Sequence, residues 1–189
     1  MIKAKVKCPL LVILFGALLP MPTTSLEAKK VYPPIQKSKP NIVWIITEDM
    51  SPEMGCYGYP LVQTPNLDRL ASQGVRYTNT FVTGPVCSAS RSALITGMYQ
   101  TSIDAHNHRS HRDDGYMLPE PVKLITDHFR QAGYFTVNGD VKETGVKGPG
   151  KTDYNFKTKK PPFDGSDWSQ RKPGQPFFAE LMISVTHRG

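Results

Sequence analysis

The sequence predicts an α/β fold with a mainly parallel sheet flanked by helices. Two observations carry this. Apolar runs of strand length alternate with segments of helical period. Residues able to do chemistry fall just after those runs, where open parallel sheets bind their ligands.

Taken in order, Asn41-Ile-Val-Trp-Ile-Ile-Thr47 is a continuous apolar run. It predicts a strand buried on both faces. Thr64-Pro65 predicts a helix start, continued through Leu67, Leu70 and Ala71 and stopped at Gly74. Residues 75–82 read as a strand, and Gly84-Pro85-Val86 as a turn. Ser88–Thr96 reads as a helix closed by Gly97. Pro121–Ala132 reads as a helix carrying Val122, Leu124, Ile125 and Phe129, with Gly133 as its stop. Tyr134–Val137 reads as a short strand and Phe177–Val185 as a final one. Residues 139–176, rich in Gly, Pro, Lys and Asp, read as a long surface excursion.

The chain has 189 residues, 39% of them apolar and 21% charged, a globular balance that excludes wholesale disorder. The formal charge is +7, but Lys3, Lys5, Lys7 and Glu27 lie in the first 28 residues, so the remainder carries +5. No dense basic stripe stands out, which argues against a nucleic-acid partner. The three lysines precede the apolar stretch Pro9–Leu19, and Pro20, Met21, Pro22 and small polar residues follow. This is the pattern of a secretory signal peptide over residues 1–28, with an uncleaved anchor as the rival. The apolar stretch is shorter than the roughly 20 residues that span a bilayer, so no stable membrane insertion is expected after cleavage. The expected location is therefore exported, periplasmic or secreted. Residues 29–40, with Pro33, Pro34 and Pro40, read as an extended leader. Two cysteines remain beyond the signal, Cys56 and Cys87. They could form one disulfide, or at least one could be a chemical residue.

The predicted topology brings several groups to one sheet edge. Glu48-Asp49 ends the first strand, Cys87 opens a helix beyond the next, Asn138 follows the Tyr134 strand, and Thr186-His187 follows the last. A cysteine at a helix start meets the positive end of the helix dipole, and Arg91, four residues on, can share its face.

Gly84-Pro-Val-Cys-Ser-Ala-Ser-Arg-Ser-Ala-Leu-Ile-Thr-Gly97 closely resembles the signature of the type I, formylglycine-dependent sulfatases. The family's maturation motif is Cys-x-Pro-x-Arg, and Ala89 stands here at the proline position. Asn41–Asp49 resembles the opening strand with the family's Asp-Asp metal pair, with Glu48 at the first aspartate. Gly55-Cys-Tyr-Gly58 and Thr64-Pro-Asn-Leu-Asp-Arg-Leu-Ala71 fit the same family. Glu48-Asp49 and Lys151-Thr-Asp-Tyr-Asn-Phe156 look most like its heparan N-sulfatase-like branch.

The resemblance implies an alkaline phosphatase-like sulfatase fold, with residues 41–189 as the N-terminal portion of the catalytic domain and its C-terminal part missing. It implies hydrolysis of sulfate esters or sulfamates, with a sulfated carbohydrate as substrate. Glu48, Asp49 and Cys87 are the implied ligands of a calcium ion. Cys87 is the implied site of formylglycine, made by a separate maturation enzyme and acting as nucleophile. Arg91 would hold the nucleophile by charge-assisted hydrogen bonds. His187 would contact sulfate or protonate the leaving group. Lys151 is the implied active-site lysine, with Lys142 as the second candidate. His106, His108 and His111, with Arg109 and Arg112, form a basic loop that either contacts an acidic sugar or is a polar loop with no special role. Cys56 reads as a packed structural residue. The competing readings are a related phosphohydrolase of the alkaline phosphatase superfamily and a catalytically incomplete fragment that binds sulfated glycan or does nothing.

Overall fold

A computed structural model describes residues 39–111, 113–142 and 144–187. The predicted signal peptide lies outside the described residues, as does the leader except for Lys39 and Pro40. Among the described residues no helix is long and apolar enough to cross a membrane.

The strands are β1 (Ile42–Thr47), β2 (Phe135–Lys142), β3 (Gly145–Pro149) and β4 (Phe177–Ile183). The helices are α1 (Pro65–Gln73), α2 (Cys87–Thr96) and α3 (Ile125–Gln131). The strands form one sheet in the order β1-β4-β2-β3. β1 and β2 run parallel to the central β4, and β3 is antiparallel to β2. Trp44, Glu180 and Asn138 share one row of the register. The carboxyl ends of β1, β4 and β2 therefore lie side by side.

β4 is buried over Phe177–Met182 because it has a strand on each side and both faces covered. Successive strand side chains point to opposite faces. On one face Phe177, Ala179 and Leu181 pack with Val137, and Trp168 stacks on Phe177 at 5.4 Å. On the other, Phe178 stacks on Phe129 of α3 at 4.3 Å. Burying side chains of this size contributes about 1.5–3 kcal/mol each. A second cluster of Ile95, Ile103, Ala105, Leu124 and Phe156 lies around α2 and the start of α3.

Several expectations need correction. β1 alternates in exposure instead of being buried on both faces: Val43 and Ile45, about half exposed, share one face of the strand, and the described residues leave that face largely uncovered. Residues 75–82 form no strand: no described strand offers their backbone a partner, and Val75, Tyr77, Phe81 and Val82 are exposed. The helix predicted over 121–132 is confined to Ile125–Gln131, where the Asp127 carboxylate accepts from the Leu124 amide and fixes the start. The strand predicted over 134–137 extends to Lys142, because β3 and β4 pair along it. Residues 139–176 are not wholly a surface excursion: they hold β3 and the buried Asn155 and Phe156. α1 matches its predicted bounds but buries none of its residues. It is stitched instead by polar contacts, with Asp68 accepting from the Cys56 amide at 2.7 Å and from the Thr64 hydroxyl at 2.9 Å.

Asn155 has no exposed surface, and its side-chain amide donates to the carbonyls of Ala105 (2.8 Å) and Asn107 (2.6 Å). Replacement by alanine would leave two carbonyls without that donor. Asn155→Ala is expected to lower the unfolding free energy by about 2 kcal/mol, read from the urea midpoint at constant slope.

Candidate active site

Glu48 follows β1 directly and is buried. Its amide donates to the Thr186 hydroxyl at 2.8 Å, tying the end of β1 to the turn after β4. Arg91 lies on α2 one turn beyond Cys87, and its guanidinium is buried. It donates to Glu48 Oε1 through Nη2 at 2.8 Å and Nε at 3.2 Å. It also stands 3.5 Å from Asp153 and 3.8 Å from Glu180. Lys151 Nζ reaches the same Glu48 oxygen at 3.1 Å and lies 3.6 Å from Asp153. His187 Nε2 is 3.9 Å from Glu48 Oε2. The sheet thus brings Glu48, Arg91, Lys151 and His187 together. Lys142 instead pairs with Asp140 and donates to Ser184.

Two recesses meet at Glu48. A cavity of about 330 Å³ is lined by Glu48, Arg109, Asp140, Lys151, Met182, Ser184 and His187. Another, of about 480 Å³, includes Glu48, Asp49, Val86, Cys87, Ser90 and Arg91. Cys87 is the first residue of α2, after an extended Val86, so it sits at the helix's positive end. Cys56 and Cys87 are both free thiols, which removes the disulfide alternative.

The electrostatics follow from burial. Burial pushes the Glu48 carboxyl up, but the hydrogen bonds from Arg91 and Lys151 outweigh it and hold the group below its usual range. Burial pulls Lys151 down, while Glu48 and Asp153 hold its ammonium above the ordinary value. Glu180 has less help. Burial pushes its carboxyl up to about 7, against the opposing pull of Arg91 and the hydrogen bond from Asn138.

Glu48 and Asp49 supply hard oxygen donors of the kind calcium takes, though calcium accepts 6–8 of them. Asp49 is exposed just beyond β1 in a left-handed conformation, φ 48°. Among the described residues no group of three or more His, Cys, Asp and Glu side chains is arranged to hold an ion. Glu48 and Asp49 fit calcium in chemical kind but would fill only part of such a shell.

Some predicted positions differ. Arg91, expected against the nucleophile, is turned into the protein toward Glu48. Asn138, expected after its strand, lies inside β2, where its amide donates to Glu180 at 3.2 Å. His111 pairs with Asp114 and stacks on Tyr116, while His108 Nδ1 lies 4.0 Å from Cys87 Sγ and 3.1 Å from Ser88 Oγ. Sequence reasoning missed Asp153 and Glu180. A lone acid inside the apolar 177–185 run was the available signal for Glu180, and Asp153 lies two residues after Lys151.

A sequence model of the sulfatase family matches residues 40–188. An ulvan-active sulfatase of Formosa agariphila is 36% identical over 161 residues, covering 79% of this chain and 25% of that protein. The iduronate 2-sulfatase of Mus musculus is 32% identical over 127 residues, 67% of this chain and 22% of its own. A solved structure described as a complex with its substrate D-glucosamine-2-N,6-O-disulfate matches in fold, with TM-score 0.57 and 21% identity. That match covers 80% of this chain and 35% of the other. The chain spans about a quarter of the length of the curated relatives it matches.

Two outcomes follow from the buried charges. Arg91→Met is expected to cost about 3–5 kcal/mol in urea unfolding, because Glu48, Asp153 and Glu180 all lose a buried counter-charge. Between the usual glutamate value of 4.5 and about 7, folded Glu180 keeps a proton that the unfolded chain releases. Its contribution to stability therefore falls as pH rises through that window. Glu180→Gln is expected to flatten that fall, measured as unfolding midpoints from pH 5 to 8.

Proposed function

This chain belongs to the sulfatase family, and from that premise we propose that it hydrolyses sulfate esters or sulfamates of a sulfated carbohydrate. One observation carries the reading: Lys151 and His187 converge on Glu48, whose other recess holds Cys87 at a helix N-terminus. Converted to formylglycine by a maturation enzyme, Cys87 would supply a hydroxyl nucleophile, and calcium held with Glu48 and Asp49 would polarise the sulfuryl oxygens.

The chain's own side chains divide the remaining work. The Lys151 ammonium offsets negative charge on the sulfuryl group at the mouth of the cavity. Exposed His187 holds a proton at Nε2 for the leaving oxygen or nitrogen. Arg91, consumed by Glu48 and the backbone of Lys151, positions the carboxylate and leaves substrate contact to others. The sugar substrate is supported by the relatives named ulvan-active sulfatase and iduronate 2-sulfatase. The lysine-flanked apolar N-terminus supports export to the periplasm or beyond.

Chain purified from its native host is expected to carry an aldehyde at Cys87 by peptide mass spectrometry. It should release sulfate from an aryl sulfate faster than phosphate from the matching phosphate. A chelator should abolish this and calcium restore it, and Cys87→Ala should lose roughly a thousandfold or more. Unmodified thiol throughout would sink the formylglycine route. Preference for the phosphate ester would assign the chain to the related phosphohydrolases instead.

A further inference from the structure

The loop after the turn at Gln100–Ile103 is held in an unusual shape. Asp104, Arg109 and His111 are non-glycine residues with φ of 49°, 54° and 63°. Left-handed backbone of this kind persists only where the surroundings enforce it, and it clusters at functional sites. The enforcing contacts are polar. The Asn155 side chain donates to the carbonyls of Ala105 and Asn107. His111 Nε2 lies 3.0 Å from the Asp104 carbonyl, and the Arg109 amide donates to Ser88 Oγ at 2.9 Å. Ser88 is fully buried on α2, next to Cys87.

This staple fixes where Arg109 stands. Its neighbour His108 lies 4.0 Å from Cys87 Sγ, and Arg109 itself lines the 330 Å³ cavity with Lys151 and His187. Its guanidinium has no hydrogen bond or ion pair among the described residues. The acids of that cavity are already answered: Glu48 by Arg91 and Lys151, Asp140 by Lys142 and Ser184. A planar guanidinium left unpaired beside a polar cavity is suited to bidentate capture of an anionic oxygen group.

We infer that Arg109 is a specificity-determining residue that binds a second anionic group of the saccharide, a carboxylate or another sulfate, beside the sulfate to be cleaved. The inference rests on the sulfatase reading for the position of that sulfate. A substrate with one negative group would leave Arg109 unpaired, whereas an acidic or multiply sulfated sugar would engage it.

Isothermal titration of the full chain tests this with three disaccharide probes. One carries a single sulfate and a uronic carboxylate, one is its carboxyl-reduced counterpart, and one is carboxyl-reduced with two sulfates. Arg109→Ala is expected to weaken binding of a doubly anionic probe at least tenfold more than that of the singly anionic one. Whichever doubly anionic probe is affected identifies the group as carboxylate or sulfate. Arg109→Lys should recover part of the loss, since it restores the charge without the fork. Equal losses for all probes, no loss, or no binding of any probe by the unaltered chain would overturn the inference. Because binding is read without turnover, an Arg109-dependent preference in a chain that releases no sulfate would overturn only the sulfatase reading. Sulfate release without that preference would overturn only this inference.

Discussion

One guanidinium holds the candidate site together. Arg91 is buried on α2, and carboxylates reach it from three directions: Glu48 after β1, Asp153 after β3, and Glu180 from the middle of β4. Ions taken out of water are costly unless closely paired. Arg91 and Lys151 bring two positive charges to three acids, so full ionisation would leave one excess negative charge in a dry region. The acid with the longest ion-pair distance to Arg91 is Glu180, and its carboxyl is the one pushed up to about 7. The cluster is therefore close to neutral when Glu180 keeps its proton.

That arrangement sets where the signature arginine points. Its spacing from Cys87 places it on the same helix one turn along, as the sequence implies. Spacing does not say which way a long side chain leans. Here the guanidinium leans back over the sheet, because Glu48 is buried at the end of β1 and needs a counter-charge there. Lys151, His187 and Arg109, which come from loops, line the open cavity instead.

The legibility of the chain follows the same division between local and long-range causes. α2 and its Gly97 stop, α1 with Thr64-Pro65 and Gly74, and the cores of β1 and β4 were readable because local pattern sets them. The 75–82 segment has strand composition, yet a strand needs a neighbour to satisfy its backbone, and composition cannot supply one. β2 outran its predicted end for the converse reason: pairing on both sides continues past the residues whose composition marks a strand. Glu48, Lys151 and His187 were legible as chemistry. Asp153 and Glu180 were not, because their meaning depends on facing Arg91 across 62 and 89 positions of sequence.

The two sides of the site also differ in kind. The floor is stiff: Glu48, Arg91 and Glu180 are buried, and Thr186 ties strand end to strand end. The rim is a loop whose side chains are largely exposed but whose backbone is fixed by Asn155 and Ser88. Exposure lets a side chain meet a ligand, and a fixed backbone limits the conformational freedom lost when it does. Ser88 bridges the two, since it lies fully buried beside Cys87 and accepts from the Arg109 amide. A shift of the first turn of α2 would thus move the rim and the Cys87 position together. Placing the cysteine at the helix start does more than aim a dipole at it: through Ser88 it keeps the 104–111 loop in register with Cys87.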